Sequence, residues 1–502
     1  MAERVLVIGA GVAGLSVALA LAPTGRQVVL LERDPPPPPG DADTAFAEWT
    51  RRGVGHLRHS HAFLARLRTI VRDAHPGLLE DLRAAGCREL GFDGMLTDIH
   101  RQTYVPRPED ADFVVLTSRR TTLELVIRRY VERLPNVEIR SETFVQKLLV
   151  ERPDLGPPVV AGVSIDTPEG PRHVLADLVV DAGGRTSQGV EQLRDGGAPI
   201  QEESESAGIL YFTRHYRLAP GQSEPPRGKA PATGDLGFLK FGVFPGDNGC
   251  FSITLCLPEI EMELRKSIVR PETFDAVCNQ MPGLAPWIAP DRAEGVSRVF
   301  GMGDLQSRWR DLVHRGEASV LGYFALGDSL IRTNPLYGRG CSFAAIGAYL
   351  LRDALEASDD PAERLVLYHK RVRAELRPYY VSMRDQDRAS IRRARRALTP
   401  DYQPNLRARL LKSFVEDGVN IAVRSDPDVL REALRGFHML EHPSAWLRRP
   451  ANLAKVLGYW SRGKARNAAA YPPKPGPDRE PLMRAIGLSP DADIERLKSE
   501  AA

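Results

Sequence analysis

Residues 4–34, RVLVIGAGVAGLSVALALAPTGRQVVLLERD, decide the fold of this chain. Residues 5–8 are β-branched and aliphatic, as a buried parallel strand requires. Gly9, Gly11 and Gly14 follow in G-x-G-x-x-G spacing, and residues 15–21 read as a helix. A second apolar run, 28–31, ends in Glu32 with Arg33 beside it. The spacing has a physical reading. Gly9 allows a tight turn, Gly11 lets the backbone approach a pyrophosphate, and Gly14 allows close helix–strand packing. The helix start offers free N–H groups and partial positive charge to that pyrophosphate, and Ala13, between Gly11 and Gly14, is counted with this cofactor set. Glu32 stands at the end of the second strand, placed to accept hydrogen bonds from a ribose. A lone G-x-G-x-x-G says little. Strand, glycines, helix, strand and terminal acid in this order specify a dinucleotide site.

Two plainer readings compete. Residues 5–25 carry no charge, as a membrane span or signal-peptide core would. Four glycines and a proline in that window, with Glu32, Arg33 and Asp34 just beyond, argue against both. At 502 residues, two or three cores are expected. Hydrophobic content of 42% and charged content of 26% are ordinary for a soluble globular protein. The 68 basic and 65 acidic residues leave +3, which gives no reason to expect nucleic acid as a partner. Five cysteines without C-x-x-C spacing indicate neither a disulfide framework nor a metal site, and suggest a reducing cytoplasm. No other window could serve as a transmembrane segment.

The expected fold class is α/β, a Rossmann-like domain with an inserted sheet-rich domain and a helical C-terminal region. Residues 1–187 hold the first part of the dinucleotide-binding domain, 188–318 the sheet-rich substrate domain, 319–358 the return segment, and 359–502 the helical region. A polyproline segment at 34–40 crosses the surface. Residues 51–63 enter a helix running to about His75, and 76–87 form another that closes on Gly86. Residues 110–116 read as a strand, and an amphipathic helix starts at Ser118. The runs 137–139, 144–150 and 159–165 suggest a small antiparallel element beside the parallel sheet. The strand at 176–181 ends in Asp181, and 245–249 carry a hairpin signal. The basic run 388–396 reads as a solvated helix face or, alternatively, a docking face for an acidic partner. Residues 471–478 begin a loose tail.

Four motifs now lie in order: G-x-G-x-x-G with Glu32; Arg120-x-x-Leu-Glu; Asp181-Ala-Gly-Gly184-Arg185; and Gly327-Asp328 with Asn-Pro-x-x-Gly-x-Gly at 334–340. Together they resemble the FAD-dependent monooxygenase superfamily of the para-hydroxybenzoate hydroxylase type. Within it, the chain looks most like the bacterial branch near polyether epoxidases and flavin-dependent halogenases. That branch's Gly-Val-Pro-Gln-x-x-His-x-His-like stretch stands here as GVGHLRHSH at 53–61, with His56 where Gln is common. The resemblance covers residues 1–355 well.

It implies non-covalent FAD. Arg120 would reach the FAD phosphates or ribityl region, where a guanidinium suits a phosphate. Asp328 would hold the ribityl hydroxyls, and Pro335, Gly338 and Gly340 would shape the loop at the flavin ring. The N–H groups of Gly340, Cys341 and Ser342 would stabilise negative charge on the reduced ring, with Cys341 a small spacer. Asp181, Gly184 and Arg185 would support the pyrophosphate and, in some members, meet NADPH; Gly183 stands where Thr or Ser is common. Val145 joins this cofactor set. Arg58 or His61 would approach the flavin, while His59 would stay at the surface.

The resemblance further implies an oxidoreductase, most simply a monooxygenase that transfers one oxygen atom from O2 through a flavin C4a-hydroperoxide. No catalytic side chain is assigned, because the chemistry belongs to the flavin. The substrate is expected to be an apolar, secondary-metabolite-like small molecule between the 208–318 sheet and the C-terminal helices. Electrons would come from NAD(P)H or a partner flavin reductase, since no second G-x-G-x-x-G supplies an NADPH domain. A halogenase is the first alternative, although the Trp-x-Trp-x-Ile-Pro motif is absent and Lys240 is a weak candidate for its lysine. A saturase or dehydrogenase of the same fold, and a non-enzymatic flavin sensor, complete the alternatives.

Overall fold

The computed structural model describes residues 2–226, 228, 230–399 and 402–501. β1 (Arg4–Ile8) passes through the glycine turn into α1 (Val12–Leu21), and the chain returns as β2 (Gln27–Leu31). After loops and short helices come α2 (Arg120–Val131), β3 (Val137–Arg140) and β4 (Leu178–Asp181). A second region is built on β5 (Ile209–Leu218), β6 (Lys240–Pro245) and β7 (Cys250–Pro258). β8 (Tyr323–Ala325) returns to the first region and leads to α3 (Gly340–Ala357) and α4 (Pro361–Ala397). Beyond α3 the described elements are all helical.

β8, β4, β1, β2 and β3 lie side by side in that order as an all-parallel sheet. Register sets Ile8 opposite both Leu31 and Asp181, and Asp181 opposite Ala325. The carboxyl ends of these four strands therefore meet at one edge, where α/β sheets bind ligands. α1 is apolar all round because α2 and α3 flank it. In the second region, β6, β7 and β5 are neighbours in a six-stranded antiparallel sheet. Period-two alternation along β5 sends Leu210, Phe212 and Tyr216 into a core with Phe251 and Phe274, and leaves Tyr211 facing the other way.

Several local expectations need correction. The run 137–139 belongs to the parallel sheet, pairing with β2, because α2 precedes it and acts as the crossover helix. The antiparallel element consists instead of Val145–Glu151, Val159–Thr167 and Gly170–Leu175. The helix that ends near His75 starts only at Ala65, and the strand expected at 110–116 is Val115–Thr117. The basic run on α4 is not wholly given to solvent, since Arg388 and Arg393 pair with Glu205 and Asp235 of the sheet region.

Nor is the C-terminus a loose tail. Two helices, Arg479–Ala485 and Ala492–Ala501, follow the proline-rich stretch. Leu482 and Met483 are fully buried in the core of the second sheet. Arg479 meets the buried carboxylates of Glu261 at 2.9 Å and Asp493 at 3.3 Å. Two inward side chains and one ion cluster are too sparse a pattern to read as docking from sequence. Leu482→Ala should therefore destabilise the protein by about 2–5 kcal/mol, the usual cost of emptying a buried leucine site. Chemical denaturation checks this, and wild-type stability would show that the tail does not dock.

Candidate functional site

The strand-end loops and two helix starts enclose a cavity of about 780 Å³, within the roughly 300–1,000 Å³ usual for ligand pockets. The three glycines take separate tasks. Gly9 has φ +94°, and a Cβ there would lie 2.8 Å from the Ala182 carbonyl oxygen. A Cβ at Gly14 would stand 1.9 Å from the Gly9 carbonyl oxygen, so only glycine lets α1 approach the turn. At Gly11 a Cβ would meet nothing within 4 Å among the described residues beyond its chain neighbours. Gly11, Val12 and Ala13 line the cavity, and the first intrahelical donor is Leu15, whose N–H reaches the Gly11 carbonyl. The N–H groups of the first turn remain open, the arrangement that suits a pyrophosphate.

Glu32 is buried at the cavity wall. Its Oε2 accepts from the Ala10 N–H at 2.8 Å and from Arg51 at 2.9 Å, and its Oε1 accepts from the Asp34 N–H at 2.9 Å. Of about four lone-pair sites on a carboxylate, one is left for a ribose hydroxyl. Arg51 continues inward to Glu124 at 2.5 Å and to Asp34 at 3.4 Å. Glu124 holds Arg120 at 3.0 Å, and Arg120 donates to the Cys341 sulfur at 3.1 Å. A buried chain of charges thus connects the Glu32 end of the cavity to the start of α3.

At that start, Asn334 caps the turn before Gly338, which has φ +65°, and Pro335, Gly338, Gly340 and Cys341 line the cavity. The first turn of α3 leaves the N–H groups of Gly340, Cys341 and Ser342 without intrahelical acceptors. Burial pushes the Cys341 thiol up, so it stays protonated as a spacer would. Gly327, with φ +62°, packs on Ala13, where an added Cβ would come within 2.8 Å. Asp328 lines the cavity and its carboxylate makes no hydrogen bond among the described residues. Burial raises its pKa, opposed by Arg332, Arg308, Arg120 and Arg185.

Arg33, Val145, Gly184, Arg185 and His61 also line the cavity. Three expectations are corrected. Arg58 is outside the lining: its guanidinium donates to the carbonyls of Phe46 and Trp49 at the end of a short helix, Ala42–Glu48. Asp181 is fully buried behind the loop and accepts from the Gly183 N–H, the Ser187 hydroxyl and the Tyr323 hydroxyl. It shapes the Gly183–Arg185 turn without facing the cavity. Ser342 does not line the cavity: its hydroxyl is buried with no hydrogen-bond partner among the described residues, and its N–H, the group expected to act, lies in the first turn of α3. His59 is not on the surface: it is buried against Thr213, with its pKa lowered to about 4 by desolvation. His61 is lowered to about 3 for the same reason, so both are neutral at pH 7.

Tyr211, Lys240, Phe241, Phe244 and Met302 of the second sheet close the cavity together with Leu305 just beyond it, and Phe437 stands at the helical side. Met439 and Leu440, two and three residues further on, do not line the cavity and pack into neighbouring cores. Sequence reasoning missed Arg51 and Arg332. Glu124 was legible four residues after Arg120, at helical pairing distance, whereas Arg51 meets Glu124 across 73 residues of chain.

Gly11→Val should leave the fold intact, since a Cβ there meets nothing within 4 Å among the described residues beyond its chain neighbours, and should abolish FAD binding by filling the pyrophosphate's space. Gly14→Ala should instead prevent folding. Circular dichroism with FAD titration separates the two; FAD uptake by folded Gly11→Val would contradict the assignment of the cradle.

Residues 4–121 match the family described as FAD dependent oxidoreductase. No curated protein matches the chain. Among solved structures it is similar to the flavin-dependent brominase Bmp2, at 16% identity and TM-score 0.59, over 92% of this chain and all of that one. It is similar to p-nitrophenol 4-monooxygenase PnpA from Pseudomonas putida DLL-E4, at 20% identity and TM-score 0.57, over 88% of this chain and 98% of that one. The myxobacterial chondrochloren halogenase CndH gives 18% identity and TM-score 0.57, over 85% and 91%. The chain thus has the fold of the flavin-dependent monooxygenases and halogenases, with an FAD-dependent oxidoreductase segment at its start.

Proposed function

We propose that the protein is an FAD-dependent monooxygenase that adds one oxygen atom from O2 to an apolar small molecule. One observation carries this reading. A single cavity runs from the cradle at Gly11, past the 335–341 loop, to an aromatic and aliphatic wall on the second sheet. Bound FAD would supply the redox chemistry and the activation of O2. The residues of the chain do the rest. Gly11, the first turn of α1, Arg33 and Arg185 hold the pyrophosphate, and Glu32 takes a ribose hydroxyl. Asp328 accepts from the ribityl chain, with Arg120 beside it. The N–H groups at the start of α3 meet negative charge at the ring end. Tyr211, Phe241, Phe244 and Phe437 orient the substrate and keep water out. Electrons arrive from NAD(P)H docked transiently or from a partner flavin reductase, and the protein acts in the cytoplasm.

Halogenation is the second reading, favoured by Lys240, whose side chain lines the same cavity. Against it, that ammonium is ion-paired with Asp235 and no Trp-x-Trp-x-Ile-Pro motif is present.

Turnover under isotopically labelled O2 distinguishes the two. The FAD-loaded protein, reduced enzymatically and offered a panel of aromatic and alkene compounds with chloride and bromide present, should give products carrying labelled oxygen. Products carrying halogen instead would replace the monooxygenase reading with the second one.

A further inference from the structure

Among the buried groups outside the cofactor cradle, Asp387 is unusual. It lies within α4, in the helical C-terminal region, and is 4% exposed. No cation forms an ion pair with it among the described residues. Three neutral donors converge on it instead. Its Oδ1 accepts from the Asn334 side-chain amide at 2.8 Å and from the Tyr337 hydroxyl at 3.0 Å. Its Oδ2 accepts from the Ser307 hydroxyl at 3.3 Å. A carboxylate taken out of water is costly unless such bonds replace its hydration. An apolar residue would fill this space without that cost if packing were its only task.

Two of the three donors belong to the loop at the ring end of the cavity. Asn334 is itself buried, and its side-chain oxygen accepts from the Tyr211 hydroxyl at 2.5 Å and from the Leu336 N–H at 3.0 Å. Tyr211, Leu336 and Tyr337 line the cavity, whereas Asn334 and Asp387 do not. The groups that hold the loop therefore sit behind it. Asn334 belongs to the loop itself and Asp387 to α4, while Tyr211, on β5, reaches Asn334 from the cavity side.

We propose that Asp387 is a positioning residue for the flavin loop, fixing residues 335–338 through Asn334 and Tyr337 and tying them through Asn334 to Tyr211 on the substrate wall. This rests on the reading that FAD binds in the cavity. A ligand that moves the Tyr211 phenol then acts on the same hydrogen-bond chain that sets the loop.

The test compares wild type, Asp387→Asn, Asp387→Ala and Tyr211→Phe after loading with FAD, by the bound-flavin visible spectrum and by FAD affinity. Asparagine keeps an oxygen for Asn334 and Tyr337, and Ser307 can turn to accept from its amide. That variant should stay within about threefold of wild type with an unshifted spectrum. Alanine leaves buried donors unpaired, so the flavin bands should shift and affinity should fall about tenfold or more. Tyr211→Phe should give a smaller shift in the same direction, and the effects should not add, because both act through Asn334. An Asp387→Ala protein that melts lower but binds FAD with wild-type spectrum and affinity would overturn the proposal. If that variant does not fold, Tyr337→Phe carries the same test, and an unshifted spectrum there overturns it equally. Wild-type protein that takes up no FAD would instead overturn the underlying reading, and this inference with it.

Discussion

Helix α1 reaches the sheet edge only because position 14 carries no side chain. A Cβ there would stand 1.9 Å from the Gly9 carbonyl oxygen, a separation no packing rearrangement can absorb. From that contact the rest follows. The open end of α1 comes to the carboxyl edge of β1, next to the turns after β2, β4 and β8. The return segment can close on it because Gly327 also lacks a side chain, where a Cβ would press on Ala13. Two close backbone approaches, neither tolerant of a methyl group, bring residues 9–14 and 327–328 to one cavity.

Charge then organises what geometry has assembled. Arg51 is buried and meets Glu32, Asp34 and Glu124, and Glu124 meets Arg120. Removing one partner of a buried pair leaves an uncompensated charge, typically at a cost of about 3–5 kcal/mol. The side chains at both ends of this chain are thereby held at the cavity wall before any ligand arrives. Glu32 keeps one free lone pair and Arg120 stands beside the start of α3. The Asp387 cluster does the same at the ring end with neutral donors, and Asn334 links it to the second sheet.

How much of this was legible in the sequence follows from the range of each interaction. The glycine turn, both flanking strands and Glu32 lie within 31 consecutive residues and could be read directly. The motifs around Arg120, Gly184, Asp328 and Gly340 were readable as separate fragments, and the resemblance suggested that they meet. Arg51 was not legible, because its partners come from β2 and α2 and no local spacing marks it. GVGHLRHSH resembles a flavin-facing stretch, which points Arg58 or His61 at the cofactor, and only His61 lines the cavity. The Arg58 guanidinium is consumed instead by carbonyls of Ala42–Glu48, a helix the sequence pattern did not reveal. The sequence sets Asp181 in the right motif but leaves its aim open, since orientation at a strand end depends on Tyr323 from β8. The C-terminal docking rests on two side chains, too few to form a period.

Every role proposed for the cavity wall depends on FAD binding there. The most direct measurement is the visible spectrum of the protein as isolated, with the released chromophore identified by mass. A yellow protein that gives up FAD, not FMN, on heating is expected, because Glu32 and the pyrophosphate cradle read the half of the molecule that FMN lacks. A colourless protein whose melting temperature does not move when FAD is added would contradict that binding.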